Sequence, residues 1–182
     1  GSRVAVTTTA KEAFGDAGNT QLGISNTDTV LIIVDLMGPY DAPKPKEVPA
    51  SQMPTIVEKG GEPVSLDFKG VPKPQADGDL QRTIVKEGSG ETVTSDMTLT
   101  VNYLGQVYDG AKPFDESYSK QPATFSLQQV VKGWTYGLTG VKVGSRVLLA
   151  IPPELGYGSS AQPGIPANST LYFVVDVLKA QK

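Results

Sequence analysis

The stretch from Val130 to Gly158, "VVKGWTYGLTGVKVGSRVLLAIPPELGYG", carries a helix pattern followed by a strand pattern, and it decides the fold. Four apolar residues in it fall on one stripe of a helix: Val130, Val131, Trp134 and Leu138. Two glycines inside this stripe limit the helix to about three turns at most. "SRVLLAI" at 145–151 is apolar and bounded by glycine and proline, which predicts a strand.

Three further stretches have the composition of strands: "LQRTIVK" at 80–86, "MTLTVNYLG" at 97–105 and "TLYFVVDVL" at 170–178. In the second, every other residue from Met97 to Tyr103 is apolar, and polar residues lie between them. This alternation is typical of a strand with one buried face. Several strands and one helix predict an α+β fold, in which a twisted antiparallel sheet wraps one short helix.

The composition excludes several classes of function. The chain has 182 residues, a formal net charge of −3, and neither cysteine nor histidine. It therefore cannot form a cysteine nucleophile, a thiolate or imidazole metal site, or a Ser-His-Asp triad. The charges form no basic stripe, and the apolar runs are far shorter than the ~20 residues of a membrane-spanning helix. We expect no metal, no cofactor, no nucleic acid partner and no membrane span.

The prolines divide the chain. Eight of the 14 lie between Pro39 and Pro74, and such a stretch favours extended backbone over a packed element. We predict that residues 39–75 form a linker in which "VSLDF" at 64–68 is a short strand. Residues 76–182 are predicted to form a complete domain.

The beginning of the chain repeats part of this domain. "GSRV" at 1–4 recurs at 144–147, and the same alignment places Phe14 on Tyr157. After a shift of two residues, "TVLIIVDLM" at 29–37 lies on "TLYFVVDVL". We predict that residues 1–38 are the C-terminal half of a degenerate sister domain, with strands near 2–9 and 29–37. We expect its other half to lie upstream of this sequence.

The chain from about 79 to 178 resembles the FKBP family of peptidyl-prolyl isomerases. Three stretches carry the resemblance, in the order and near the spacing of that family: "VNYLGQVYDGAKPFDES" at 101–117, the stretch at 130–158, and "PGIPANSTLYFVVDV" at 163–177. The resemblance implies an FKBP-like fold and catalysis of cis-trans isomerisation at X-Pro bonds. The implied partners are proline-containing polypeptides, with rapamycin-type macrolides as further candidate ligands.

The resemblance also implies a proline pocket with Trp134 as its floor. Its walls are expected from six residues: Tyr103, Phe114, Val130, Val131, Ile165 and Phe173. The hydroxyl of Tyr157 is expected at the rim, and Asp115 as a polar group behind the pocket. The backbone N–H of Val131 and the Tyr157 hydroxyl are implied to bind substrate carbonyls. The catalytic set carried over in this way is Tyr103, Asp115, Val131 and Tyr157.

Isomerisation suits a chain without nucleophiles. Rotation about an X-Pro bond makes no new bond and requires only that amide conjugation be broken, over a barrier of ~18–20 kcal/mol. Two alternatives stay open: a module that binds proline-containing peptides without turnover, and a structural spacer. Taken singly, Trp134, Tyr103 and Phe173 also suit a plain core, and Asp115 with Glu116 suits a turn or, less well, a glycosidase carboxylate pair.

The tandem arrangement, the "QPATF" stretch and the proline-rich segment are similar to tandem-domain members of the family from Gram-positive, actinobacteria-like organisms. Those members are secreted or anchored to the envelope, in some cases as lipoproteins. A chain without cysteine also suits an oxidising compartment. We therefore expect an extracytoplasmic protein that assists the folding of other proteins, and a cytoplasmic location is the alternative.

Overall fold

The main sheet is built on two long strands, β7 (Thr98–Val107) and β11 (Leu171–Gln181). The structure is a computed structural model, and it describes residues 2–36 and 42–182. They pair antiparallel from Leu171 opposite Val107 to Gln181 opposite Thr98, and the register shifts once near Leu178. Because side chains alternate along a strand, Leu99 and Val101 lie on the inner face, as the sequence predicts.

The sheet contains seven strands in the order β3-β6-β10-β11-β7-β8, with β9 on β7. The remaining members are β3 (Lys46–Glu47), β6 (Gln81–Lys86), β8 (Asp115–Glu116), β9 (Ala123–Ser126) and β10 (Arg146–Ile151). All pairings are antiparallel except that of β3 with β6. The four strands expected from the sequence are present, and the predicted α+β, FKBP-like fold is confirmed.

The helix α2 (Lys132–Leu138) lies against the inner face of this sheet. A Cβ atom on Gly137 would lie 2.9 Å from Leu149 of β10, and one on Gly133 would overlap Ile151. The two glycines that limit the helix length therefore also permit its close approach to the sheet. Trp134 and Leu138 point into the core between helix and sheet.

Residues 43–75 differ from the predicted linker. They contain a hairpin of β4 (Thr55–Lys59) and β5 (Glu62–Asp67), and they belong to the same unit as residues 76–182. The hairpin is fixed to β7 because the Gln106 side chain exchanges two hydrogen bonds with the backbone of Leu66, at 2.9 and 3.1 Å.

Apolar side chains from this segment cover the outer face of the sheet: Val48, Met53, Leu66 and Phe68. They pack on residues of the sheet that would otherwise be exposed: Leu104, Leu148, Tyr172 and Val174. The prolines permit an extended backbone but do not prevent the apolar residues between them from being buried. Only the short strand at 64–68 was anticipated, and residues 37–41 of the predicted linker lie outside the described residues.

Residues 2–36 form a separate unit. It contains β1 (Ser2–Thr9), the short helix α1 (Ala10–Phe14) and β2 (Thr29–Leu36). The strands pair antiparallel from Ser2 opposite Leu36 to Thr9 opposite Thr29. The two strands expected here are therefore present, except that Met37 lies outside the described residues. α1 was not predicted, and it begins at a capping box of Thr9 and Glu12.

No helix within residues 2–36 and 42–182 is long and apolar enough to cross a membrane. The same residues contain no group of three or more acidic side chains placed to hold a metal ion.

Candidate functional site

A cavity of about 320 Å³ opens between α2, the inner face of the sheet and the loop that carries Tyr157. Ten residues line it: Tyr103, Phe114, Asp115, Phe125, Gln129, Val130, Val131, Trp134, Tyr157 and Phe173. Eight of these ten are residues expected at the site from the sequence. The structure therefore brings together groups that are up to 70 positions apart in the chain.

Trp134 lies at the centre of the aromatic lining and is buried. Its ring centroid is 5.3 Å from that of Phe173 and 5.6 Å from those of Tyr103 and Phe125. All three contacts are edge-to-face, the arrangement that aromatic quadrupoles favour. These three rings fix the orientation of the Trp134 ring, so that the face of the indole can form the floor of the cavity.

Two further aromatic rings meet over a glycine. The Phe114 and Phe173 centroids are 5.6 Å apart, in an edge-to-face contact. A Cβ atom on Gly105 would lie 2.6 Å from both rings, so only glycine leaves room for them on β7. Gly105 is an essential spacer of the cavity that the sequence reasoning did not identify.

Tyr103 and Asp115 form the polar edge of the cavity. β8 pairs with β7 so that Asp115 lies opposite Gly105, and the Tyr103 hydroxyl donates a short hydrogen bond to the Asp115 carboxylate. Burial, followed by this bond, raises the pKa of Tyr103 above its ordinary value, which keeps the hydroxyl protonated.

The placement of Asp115 differs from the expected position behind the pocket. Its side chain is 51% exposed, and the Lys120 ammonium lies 3.7 Å from its second carboxylate oxygen. The reason is that β8 is the edge strand of the sheet, so that one side of the residue faces solvent. Asp115 therefore lines the cavity and also contacts a charged group at the protein surface.

Val131 provides a backbone donor at the cavity wall. It immediately precedes α2, and its carbonyl accepts hydrogen bonds from the N–H groups of Trp134 and Thr135, at 2.9 and 3.4 Å. Within residues 42–182 nothing accepts a hydrogen bond from the Val131 N–H itself. A bound polypeptide carbonyl could satisfy this donor.

Tyr157 extends from a loop that follows a 3₁₀ turn at Pro153–Leu155. Tyr157 is 41% exposed and lines the opening of the cavity. The next residue, Gly158, has a φ of +56° and donates to the Pro153 carbonyl at 2.8 Å. This closed turn holds Tyr157 in place over the opening.

Ile165 is the one expected wall residue that does not line the cavity. It is buried in the inner core, and its backbone forms a bridge with Gln162. The structure adds Phe125 and Gln129 instead. Phe125 belongs to β9, where it lies opposite Leu99 of β7. The alternation within "ATFS" at 123–126 is the sequence signal that could have identified it.

A second groove, of about 660 Å³, lies between the loops at 73–76 and 166–170. Its only aromatic residue is Tyr108, and that hydroxyl already donates to the Val71 carbonyl at 2.9 Å. The groove thus lacks the clustered rings of the cavity at Trp134, and we regard the latter as the functional site.

Comparison with known proteins agrees with this geometry. The family model described as FKBP-type peptidyl-prolyl cis-trans isomerase matches residues 89–178. The isomerase FkpA of Escherichia coli K12 is 48% identical over 96 residues, which are 52% of this chain and 35% of FkpA. A probable isomerase of the same type from Haemophilus influenzae is 48% identical over 101 residues, which are 54% of this chain and 42% of that protein.

Two solved structures are similar as well. The crystal structure of E. coli FkpA has a TM-score of 0.54 at 44% identity, with 60% of this chain and 51% of that chain covered. The peptidyl-prolyl cis-trans isomerase of Pseudomonas syringae pv. tomato has a TM-score of 0.54 at 31% identity, with 63% and 85% covered. The chain spans less than half the length of the two curated relatives from E. coli and H. influenzae. Through its residues 89–178, it belongs to the family of FKBP-type peptidyl-prolyl cis-trans isomerases.

Proposed function

We propose that this chain catalyses cis-trans isomerisation of X-Pro bonds in polypeptides bound at the Trp134 cavity, and so assists protein folding. The observation that carries the proposal is the aromatic lining around Trp134, next to an unsatisfied backbone donor at Val131. About 320 Å³ is the size of a small-ligand site, and it accommodates a proline ring with its flanking backbone.

The chemistry requires only binding and rotation. A planar X-Pro amide is more charge-separated than the twisted transition state, because conjugation is lost on twisting. An aromatic cavity that excludes water stabilises the twisted form relative to the planar one. No proton transfer and no covalent intermediate are needed.

The polar groups at the edge orient the substrate. The Val131 N–H and the Tyr157 hydroxyl donate to carbonyls on either side of the proline, which holds the peptide across the cavity. Asp115 accepts from Tyr103 and holds that ring against Trp134. Phe114, Val130 and Phe173 contribute apolar walls.

The proposal is tested with a proline-containing tetrapeptide such as Ala-Leu-Pro-Phe, whose cis-to-trans relaxation is followed with sub-stoichiometric protein. We expect acceleration over the uncatalysed exchange, with a reduction in the variant Tyr157→Phe. Tyr108→Phe is the matched control, because its hydroxyl lies outside the cavity. Rates equal to buffer would reject the proposal, and saturable binding without acceleration would support the peptide-binding module instead.

Three finer assignments remain predictions. Rapamycin-type macrolides would occupy the same cavity, and quenching of the single tryptophan, Trp134, would report their binding. An extracytoplasmic location is supported by the absence of cysteine. The relatives compared above come from Gram-negative bacteria, so the origin from a Gram-positive organism with a tandem-domain protein rests on the sequence features alone.

A further inference from the structure

The two-stranded unit of residues 2–36 reproduces a detail of the complete domain. Arg3 and Asp35 are paired across β1 and β2, with Nε–Oδ1 at 2.6 Å and Nη2–Oδ2 at 2.8 Å. Arg146 and Asp176 are paired across β10 and β11 with the same atoms at 2.6 and 2.8 Å. The same forked ion pair at the same register supports the equivalence of the two strand pairs.

The equivalence extends along both strands. Three cross-strand pairs in the first unit are Val4–Val34, Val6–Ile32 and Thr8–Val30. Their counterparts in the complete domain are Val147–Val175, Leu149–Phe173 and Ile151–Leu171. We call the six side chains of the first unit the ribbon face. Its counterpart is the inner face of the main sheet, on which α2 packs.

Burial separates the two faces. Leu149 and Phe173 are 0% and 5% exposed, whereas Val6 and Ile32 are 45% and 39% exposed. In the complete domain, β11 pairs with β10 on one edge and with β7 on the other. Within the described residues, its counterpart β2 pairs only with β1, so that its second edge is free. A two-stranded ribbon with an exposed apolar face is marginally stable in water. In the part of the chain that the structure describes, the ribbon face therefore has neither the helix nor the strand that cover its counterpart.

We propose that the ribbon face binds a polypeptide segment that supplies a β-strand to the free edge of β2 and a short amphipathic helix to the face itself. The strand takes the place that β7 has on β11, and the helix takes the place of α2. The bound state is an FKBP-like domain completed from two segments.

The residues of the ribbon face specify the helix that fits. In the complete domain, Ile151 and Leu149 require glycine at 133 and 137 of α2. Where the complete domain has Ile151 and Leu149, the ribbon has the smaller Thr8 and Val6. The bound helix accordingly carries alanine or a larger side chain where α2 has glycine.

The completed domain differs from the isomerase domain in chemistry. Ile32 stands where Phe173 forms a cavity wall, and Phe14 stands where Tyr157 carries its hydroxyl. The site therefore lacks an aromatic wall and a rim donor, and its role is to hold the partner segment. A second copy of this chain fits less well, because α2, its only comparable helix within residues 2–36 and 42–182, is already packed on its own β10.

A fusion tests the proposal with the full chain present. Residues 76–143 are placed directly before residues 1–182, at the junction that the alignment of Gly1 with Gly144 defines. Gly133→Ala and Gly137→Ala are introduced in the added copy only. Scanning calorimetry is expected to show a second cooperative unfolding transition, with a larger total enthalpy than the unmodified chain. The same fusion with both glycines retained is expected to unfold at a lower temperature in that transition.

Ile32→Asp and Leu31→Asp provide a matched pair within the fusion. Ile32 lies on the ribbon face, and Leu31 is its exposed neighbour on the opposite face. Ile32→Asp is expected to abolish the added transition, whereas Leu31→Asp retains it. Absence of the added transition, or equal effects of the two substitutions, would overturn the proposal. So would an unmodified chain that sediments as a dimer and becomes a monomer with Ile32→Asp, because the occupant would then be a second copy.

Discussion

The Tyr103 hydroxyl donates its hydrogen bond to the Asp115 carboxylate across the β7–β8 pair, at the edge of the aromatic cavity. The carboxylate also lies 3.7 Å from the Lys120 ammonium. Asp115 thus connects the orientation of the half-buried Tyr103 ring to the charge at the surface, so that changes at Asp115 reach the cavity through Tyr103.

Replacement of Asp115 tests this connection. Asp115→Ala removes a hydrogen bond to a charged group, worth about 1.5 kcal/mol, and we expect kcat/KM for an X-Pro peptide to fall about tenfold. Glu116→Ala is the control, because Glu116 binds Ser119 and does not line the cavity. An equal loss in both variants would mean that net surface charge, rather than the bond to Tyr103, is responsible.

A methyl group at Gly105 should close the cavity. Gly105→Ala places a Cβ atom 2.6 Å from the rings of Phe114 and Phe173, and such overpacking costs about 1–3 kcal/mol of stability. We expect a loss of isomerase activity at temperatures where the variant is still folded. Gly78→Ala is the control, since a Cβ atom there would lie 3.1 Å from its nearest neighbour, the Gln75 carbonyl oxygen. Full activity in Gly105→Ala would show that the ring positions are unimportant.

Trp134 and Leu138 separate stability from activity, because both are buried on the same helix. Trp134→Ala should lower the free energy of unfolding by ~3–5 kcal/mol and Leu138→Ala by ~2–5 kcal/mol. Only Trp134 lines the cavity, so only its replacement should reduce kcat/KM per folded molecule. Urea unfolding and a peptide assay on the same samples make the comparison. Equal losses of activity would point to a general effect of core packing.

The C-terminal folded unit begins at Pro43 rather than at residue 76, and this boundary predicts how truncated chains behave. A chain of residues 76–182 would expose the outer face that Met53, Leu66 and Phe68 cover. Relative to residues 43–182, we expect it to lose roughly 3 kcal/mol or more, since each buried apolar side chain contributes about 1.5–3 kcal/mol. Denaturant unfolding of the two chains measures the difference. Equal stabilities would restore the interpretation of 43–75 as a linker.

Buried tyrosines predict a loss of stability in alkali. Burial raises the pKa of Tyr172 to about 12, above the value of about 10 in an unfolded chain. Because the folded state retains this proton longer, its stabilising effect is complete below pH ~10 and is lost as the pH rises toward about 12. Tyr172→Phe should therefore reduce the slope of unfolding free energy against pH above pH ~10. Some slope should remain, because the pKa values of Tyr103 and Tyr118 are also raised.

The sequence predicts the elements whose pattern is local. Alternation in "MTLTVNYLG" identifies the inner face of β7, and the stripe through Trp134 identifies α2. Of the hairpin at 55–67, the sequence predicts only the strand at 64–68, because prolines dominate the composition around it. Its burial depends on the outer face of the sheet, which no local pattern within 43–75 shows. Phe125 and Gly105 were missed for the same reason, since their importance lies in which rings they meet in space.

The central position of β11 has a consequence for the order of synthesis. β11 is the last described strand in the chain, yet it lies between β10 and β7. Until it emerges from the ribosome, β10 and β7 have no common partner, and Phe173 is absent from the cavity. The Trp134 cavity is therefore incomplete until β11 has been synthesised, and before that point it cannot act on the X-Pro bonds of its own chain.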